Sequence, residues 1–150
     1  RGLGDLYKRQ VQWIIECNWR SRKTGSRPLR LSASICYDAT DLELCADLRT
    51  RCDLYAVCAM NTDVGTFDRM AESIHYQMYQ GYLVVNKGEF GGSNFYMPYG
   101  KDYHRQVRHL QGQPQAQIAF VQIDVEKLMD RNCNETTVAV GIFKQPPERL

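Results

Sequence analysis

At residues 29–38 the chain reads LRLSASICYD, an apolar run that ends in Cys-Tyr-Asp. Residues 39–48 then carry apolar side chains at helical spacing, which predicts a strand, a sharp turn and a helix. The turn delivers Cys36 to a helix N-terminus, whose unpaired N–H groups and partial positive charge favour the reactive thiolate. This position suits a nucleophile, and the N–H groups there, including that of Tyr37, are placed to bind an oxyanion.

The six cysteines of the chain are interpreted as free thiols. Most of them lie inside apolar strand or helix patterns, as do Cys36, Cys45, Cys52 and Cys58. This placement favours reduced thiols in a cytoplasmic protein over a disulfide framework. A free cysteine commonly acts as a small hydrophobic residue, so a core role is the competing interpretation of Cys36. No Cys-x-x-Cys pair occurs, and we expect no metal site.

Composition indicates one ordinary globular domain. The chain has 150 residues, of which 43% are hydrophobic and 24% charged. That length can bury a sizeable core. The net charge of +2 provides no whole-chain argument for nucleic acid. No apolar run approaches the length of a membrane span, so we expect no membrane association.

Strand and helix patterns alternate along the chain, which predicts an α/β layer structure. The pattern predicts strands at 29–35, 54–59 and 82–85, an edge strand at 93–99 and a further strand at 118–125. It predicts helices at 41–51, with Thr40 or Asp41 as the cap, and at 66–79, with Thr66 as the cap. A short helix or irregular segment is expected at 5–19, a basic loop around His104 and His109, and a short helical turn at 126–131.

The segment around Cys36 resembles the nucleophile segment of the carbon–nitrogen hydrolase (nitrilase) superfamily. That family pattern is roughly Cys-Tyr-Asp-x-Arg-x-x-Glu, and the chain matches it at Cys36, Tyr37, Asp38 and Glu43. It departs at Thr40, where the family has Arg.

The resemblance continues in order downstream and covers about residues 29–125. Residues 52–61 resemble the next strand of the family and residues 70–80 the following helix, with Gln77 where many members place a Glu. Residues 81–86 resemble a strand ending in Asn, and residues 88–93 the glycine-rich turn after it. The wording of these segments is also similar to nitrilase-like domains attached to some bacterial reverse transcriptases.

The resemblance implies a four-layer α-β-β-α sandwich. Residues 1–150 would form its C-terminal portion, with the earlier part of the domain upstream of Arg1. The implied activity is cleavage of a non-peptide amide, nitrile or carbamoyl bond through a thioester at Cys36, with no metal or organic cofactor. The substrate would be a small-molecule amide or nitrile.

The resemblance also implies the other members of the catalytic set. Lys8 ends a Leu-Tyr-Lys segment similar to the family's Tyr-x-Lys strand end, and Glu16 follows it at a suitable spacing for the second Glu. The general-base Glu would lie upstream of this chain. Tyr37 and Asn61 are the expected substrate-binding residues, because Asn61 follows a strand at the edge where ligands of open α/β sheets gather.

Two other functions stay open. The first is a catalytically silent nitrilase-fold module that serves assembly or regulation of a larger protein such as a nucleic-acid polymerase. The second is a nucleic-acid contact through a basic stretch beside Trp19, for which a solvated loop is the simpler interpretation. That stretch contains Arg20, Arg22, Lys23, Arg27 and Arg30.

The implied fold also predicts association. Half of an α-β-β-α sandwich leaves one sheet face bare, and an exposed apolar face favours association. We therefore expect a homo-oligomer or a longer polypeptide.

Overall fold

A computed structural model describes residues 12–18, 27–130 and 142–144, and its centre is a six-stranded mixed sheet. The strands lie side by side in chain order: β1 (Ile14–Cys17), β2 (Leu29–Ile35), β3 (Leu54–Cys58), β4 (Gly81–Val85), β5 (Ser93–Tyr96) and β6 (Gln106–Leu110). The neighbours β2, β3 and β4 are parallel, and all other neighbouring pairs are antiparallel. The mixed α/β class predicted from the alternating pattern is confirmed.

Two helices cover one face of this sheet. A 3₁₀ turn (Cys36–Thr40) and α1 (Leu42–Leu48) connect β2 to β3, and α2 (Val64–Met78) connects β3 to β4. Crossovers between parallel strands are almost always right-handed, which puts both helices on the same side. Their apolar side chains form one buried core with every second residue of β3 and β4, including Leu48, Phe67, Ile74, Tyr55, Val57, Tyr82 and Val84.

The other face of the parallel strands is exposed at their carboxyl ends. Ile35, Cys58 and Val85 are register neighbours on this open face, and all three are exposed. Nearer the amino ends, the face is covered by a second apolar cluster in which α3 (Val125–Asp130) and the segment before it pack onto the sheet. This cluster contains Phe95, Met97, Leu128 and Phe143, with Leu54, Val121 and Ile123 packed against it.

The helix starts follow from side-chain caps. Asp41 caps α1 by accepting hydrogen bonds from the N–H groups of Glu43 and Leu44, so one of the two predicted caps is confirmed. The predicted cap of α2 is wrong, because Asp63 is the cap and Thr66 supplies the N–H that it accepts. The short carboxylate of Asp63 reaches this N–H three residues on, which lets the helix begin at Val64.

The predicted structure of two strand-forming segments is wrong. Residues 14–17, expected in a short helix or irregular segment, form β1 because Ile14 and Ile15 pair antiparallel with β2. Residues 106–110, expected in a basic loop, form β6, whose backbone pairs with β5 although its side chains are largely polar. The strand at 93–99 is therefore not at the edge, because β5 lies between β4 and β6.

The strand predicted at 118–125 does not form. These residues are described, and they are irregular up to the start of α3. Alternating hydrophobicity predicts a strand only if a sheet edge receives it. Here Val121 and Ile123 are used instead to cover the sheet, while Ile118 and Phe120 remain exposed. The short helical turn predicted at 126–131 is confirmed as α3.

A buried carboxylate joins the amino ends of the parallel strands. Asp53 is fully buried, and Arg27 contacts its two oxygens at 2.8 and 2.6 Å. The N–H of Arg30 also donates to this carboxylate, at 2.9 Å. The backbone of Asp53 donates to the carbonyl of Arg30 and accepts from the N–H of Gly81, so one residue ties β2, β3 and β4 together.

Replacing Arg27 by Leu should destabilise the fold strongly. The change removes the guanidinium that contacts both oxygens of the buried Asp53 carboxylate. Breaking a buried pair by removing one partner costs about 3–5 kcal/mol of unfolding free energy. The matched control is Arg30→Gln, because the Arg30 side chain pairs with exposed Glu16 at 3.2 Å. An exposed pair of this kind contributes up to about 1 kcal/mol. Urea unfolding followed by circular dichroism measures both; equal losses would contradict the assignment.

Candidate active site

Cys36 lies in a strained conformation at the carboxyl end of β2, where it opens the 3₁₀ turn. Its φ is +47°, a region that side chains other than glycine adopt only at a cost. Two other described non-glycine residues have positive φ, Thr50 and Tyr79, and both follow the ends of helices, where this conformation is a common cap. Cys36 follows a strand instead. Strain of this kind clusters at active sites, and a strand-to-turn elbow exposes a nucleophile.

The thiols differ in accessibility. Cys45 and Cys52 are buried, and burial raises the pKa of Cys45 to about 11 and that of Cys52 to about 12. Both are therefore protonated and unreactive at neutral pH. Cys36 is half-buried against the helical core, and Cys58 is exposed on the open face. Within the described ranges, no hydrogen bond or ion pair reaches the Cys36 thiol.

The turn after Cys36 leaves backbone donors available. The Thr40 hydroxyl donates to the carbonyl of Tyr37 at 2.7 Å, and the N–H of Asp41 donates to the carbonyl of Asp38 at 3.1 Å. Ile35, at the N-cap position, supplies no side-chain hydrogen bond. The first N–H groups of the turn, including that of Tyr37, have no partner within the turn itself. The Tyr37 ring is exposed and lies edge-on to Phe67, with 6.1 Å between centroids.

Asn61 and Asn86 join the carboxyl ends of β3 and β4. The Asn86 side chain accepts from the N–H of Asn61 at 2.9 Å, and donates to the carbonyls of Asn61 at 2.8 Å and Gly91 at 2.7 Å. The Asn61 Oδ1 accepts from the N–H of Asp63 at 2.8 Å, while its Nδ2 is buried with no partner in the described part of the chain. Asn61 therefore lies at the predicted edge, and its substrate-binding role stays a prediction.

Glu16 and Cys36 are not brought together. Glu16 is in β1 opposite Arg30, to which it is ion-paired, near the amino end of β2. Cys36 follows the other end of β2, about 20 Å along the strand at roughly 3.3 Å per residue. Lys8 lies outside the described residues. The catalytic roles of Lys8 and Glu16 stay predictions.

A cavity of about 620 Å³ opens on the far half of the sheet. It lies between β4, β5 and β6 and the irregular segment around residues 116–121, with mainly apolar walls. Val85 and Asn86 line it where β4 ends, whereas Cys36 is two strands away and does not. Sequence analysis missed this cavity, because the segment that closes it was assigned to a strand.

The basic stretch beside Trp19 is only partly described. Arg27 pairs with Asp53 and Arg30 with Glu16, so both guanidinium groups already have carboxylate partners. Trp19, Arg20, Arg22 and Lys23 lie outside the described residues. In the described ranges, no group of three or more His, Cys, Asp or Glu side chains is arranged to hold a metal ion. The described helices include none with the length and apolar character needed to cross a bilayer.

Comparisons with known proteins support the fold. No family model matches the chain, and no curated protein matches it. Among solved structures, the chain is similar to a CN-hydrolase superfamily protein of Xanthomonas campestris, whose crystal structure has an arsenic adduct in the active site. The TM-score is 0.52 at 13% identity, over 71% of this chain and 42% of that one. The likeness concerns the fold, and this chain spans less than half of that protein. The reverse-transcriptase subgroup stays a prediction.

Iodoacetamide should label Cys36 first in the native chain at neutral pH. The turn presents the partly accessible Cys36 sulfur where a strand ends, whereas Cys45 and Cys52 are protected by burial and raised pKa values. Peptide mapping after limited labelling measures the order, and labelling in urea, where all sites become equivalent, is the control. Faster native labelling of Cys17, or of the more exposed Cys58, would contradict the prediction.

Proposed function

We propose that this chain is the nucleophile-bearing portion of a carbon–nitrogen hydrolase that cleaves a small non-peptide amide, nitrile or carbamoyl compound. The observation that carries the proposal is Cys36 at φ +47° directly after a parallel strand. Its place is the carboxyl edge of the parallel strands, where ligands of open α/β sheets bind. The fold likeness to a CN-hydrolase superfamily protein supports the same assignment.

In the proposed amide reaction, the Cys36 thiolate attacks the carbonyl carbon and forms a C–S bond. The carbonyl oxygen takes up negative charge, which the Tyr37 N–H stabilises. The C–N bond then breaks, the nitrogen takes a proton from a general acid, and the amine leaves a thioester behind. Water, deprotonated by the same group, attacks the thioester and releases the acid and the thiolate. The resemblance gives these proton transfers to the Glu that lies far before the nucleophile in the family's sequences, with Lys8 and Glu16 as supporting charges.

The proposed catalytic unit is a four-layer sandwich of which this chain forms two layers. The open face supports this arrangement, because its exposed side chains at the carboxyl ends are apolar, with Ile35 71% and Val85 49% exposed. The described helices that connect the parallel strands cover only the opposite face. A second sheet, from a longer polypeptide or from another copy, would bury these side chains.

Association through the open face should be measurable. We expect the 150-residue chain to form dimers or larger species in light scattering, because exposed apolar surface favours association. Val85→Lys should shift the distribution towards monomer, since it places a charge on that face. The matched control is Leu42→Lys on α1, where the side chain is 75% exposed away from the sheet. A stable monomer with cooperative unfolding would contradict the expectation.

Cys36→Ser should abolish hydrolysis and leave the fold intact. Serine has nearly the size of cysteine but is far less ionised at neutral pH, so we expect kcat to fall by roughly 10⁶-fold. Ammonia release from a panel of small amides, nitriles and carbamoyl compounds measures turnover in the active form of the protein. Cys58→Ser, at the neighbouring strand end, should keep full activity. Normal turnover by Cys36→Ser would show that the nucleophile is another group.

A further inference from the structure

A cluster of tyrosines and cations lies at the amino end of the parallel strands, opposite to the edge of Cys36. The Lys144 ammonium is 3.1 Å from the ring centre of Tyr76 and 4.8 Å from that of Tyr79. The Arg105 guanidinium lies 4.3 Å from the Tyr76 ring, and that of Arg49 lies 5.4 Å from the Tyr79 ring. We call these five residues the tyrosine–basic surface.

The density of these contacts is unusual. Energetically significant cation–ring pairs occur about once per 70–80 residues. Here four cation–ring contacts, each with less than about 6 Å between the cation and the ring centre, meet on two tyrosines at the end of one helix. The cations come from three distant segments of the chain, so the fold collects them. Lys144, by hydrogen bonding and by its charge, lowers the pKa of Tyr76, as expected where the potential is positive. The Nε of Arg49 is buried with no partner among the described residues.

A polar cavity of about 500 Å³ adjoins this surface and shares Tyr76 and Arg105 with it. Its walls include the rings of His75 and Tyr96, which stack with 4.9 Å between centroids. The Nδ1 of His75 donates to the carbonyl of Ala71 at 2.8 Å, which leaves Nε2 as a buried acceptor. At the rim, the Tyr103 ring is 70% exposed.

The same cavity also contains acidic side chains, Glu72 and Asp102. These carboxylates would repel a partner that is only anionic, such as an acidic peptide. A nucleotide can satisfy both the cations and the carboxylates. Its phosphate pairs with the cations, and its base is a flat ring whose amino groups donate hydrogen bonds to carboxylates. The base must be unpaired to enter a cavity, which excludes a duplex.

We propose that the tyrosine–basic surface binds single-stranded nucleic acid, with phosphates against Arg49 and Lys144 and a base at the cavity beside Tyr103. This surface is independent of the chemistry at Cys36. The helix α2 runs antiparallel to the strands, so its first residue lies near the edge of Cys36 and its last at this surface.

Fluorescence anisotropy with a labelled oligo(dA) of about 15 nucleotides, whose bases carry an exocyclic amino group, tests the proposal, since single-strand sites commonly span up to about 16. We expect the 150-residue chain to bind at about 50 mM salt, with affinity falling as salt rises. Lys144→Gln and Arg49→Gln should each weaken binding and reduce the salt slope by about 0.7, the value for one phosphate contact on a single strand. Tyr103→Ala should weaken binding roughly 5- to 150-fold without changing that slope, because it removes stacking.

Lys87→Gln is the matched control. Lys87 also lies over a ring, that of Phe90 at 4.9 Å, but it follows the carboxyl end of β4 and is paired with Glu89. The Lys87→Gln variant should bind the oligonucleotide like the wild type, and so should Cys36→Ser. The proposal is overturned by an absence of binding at low salt, by equal affinity for a duplex of the same length or for a mononucleotide, or by equal losses in Lys87→Gln and Lys144→Gln.

Discussion

The ion pair between Asp53 and Arg27 is the constraint on which the arrangement of the parallel strands depends. A buried carboxylate is tolerated only when its charge is compensated, and the partners of Asp53 include the Arg27 guanidinium and the backbone N–H of Arg30. Because the backbone of Asp53 also bonds to Arg30 and Gly81, the three strands begin in a fixed register. Their carboxyl ends are then level, and Cys36, Asn61 and Asn86 follow at one edge.

A second polar network holds that edge from the other side. The Asn86 carboxamide binds the chain after β3 and the turn at Gly91, while Ser93 accepts from the N–H of Asn86. The conformation of Cys36 costs of order 1–3 kcal/mol, which persists only if the surroundings determine it. β2 pairs with β1 over its first half and with β3 as far as Ile35, the residue before Cys36. The two networks together keep a strained residue at an accessible edge.

The parts of the fold that depend on local sequence patterns could be predicted from the sequence. The β2–α1–β3–α2–β4 order and the placement of Cys36 and Asn61 follow from hydrophobic period and short spacing. β1 and β6 were missed because a short or polar edge strand is stabilised mainly by the backbone of its neighbour. Glu16 lies far from Cys36, because the antiparallel register of β1 places Glu16 opposite Arg30, near the amino end of β2. Local sequence patterns do not reveal this register. The tyrosine–basic surface could not be predicted from the sequence, because its cations are separated by long stretches of chain.

The two candidate surfaces lie at opposite ends of one uninterrupted helix. α2 is capped by Asp63 at its start and ends at Tyr79 in the left-handed conformation, and its length is about 22 Å at 1.5 Å per residue. Coupling between two sites requires an element with two arrangements, each favoured by one ligand. The structure shows α2 as one continuous helix between the two surfaces, in one arrangement. On that arrangement, nucleic acid at the amino end would hold the protein on a strand, and the two proposed functions would combine by proximity.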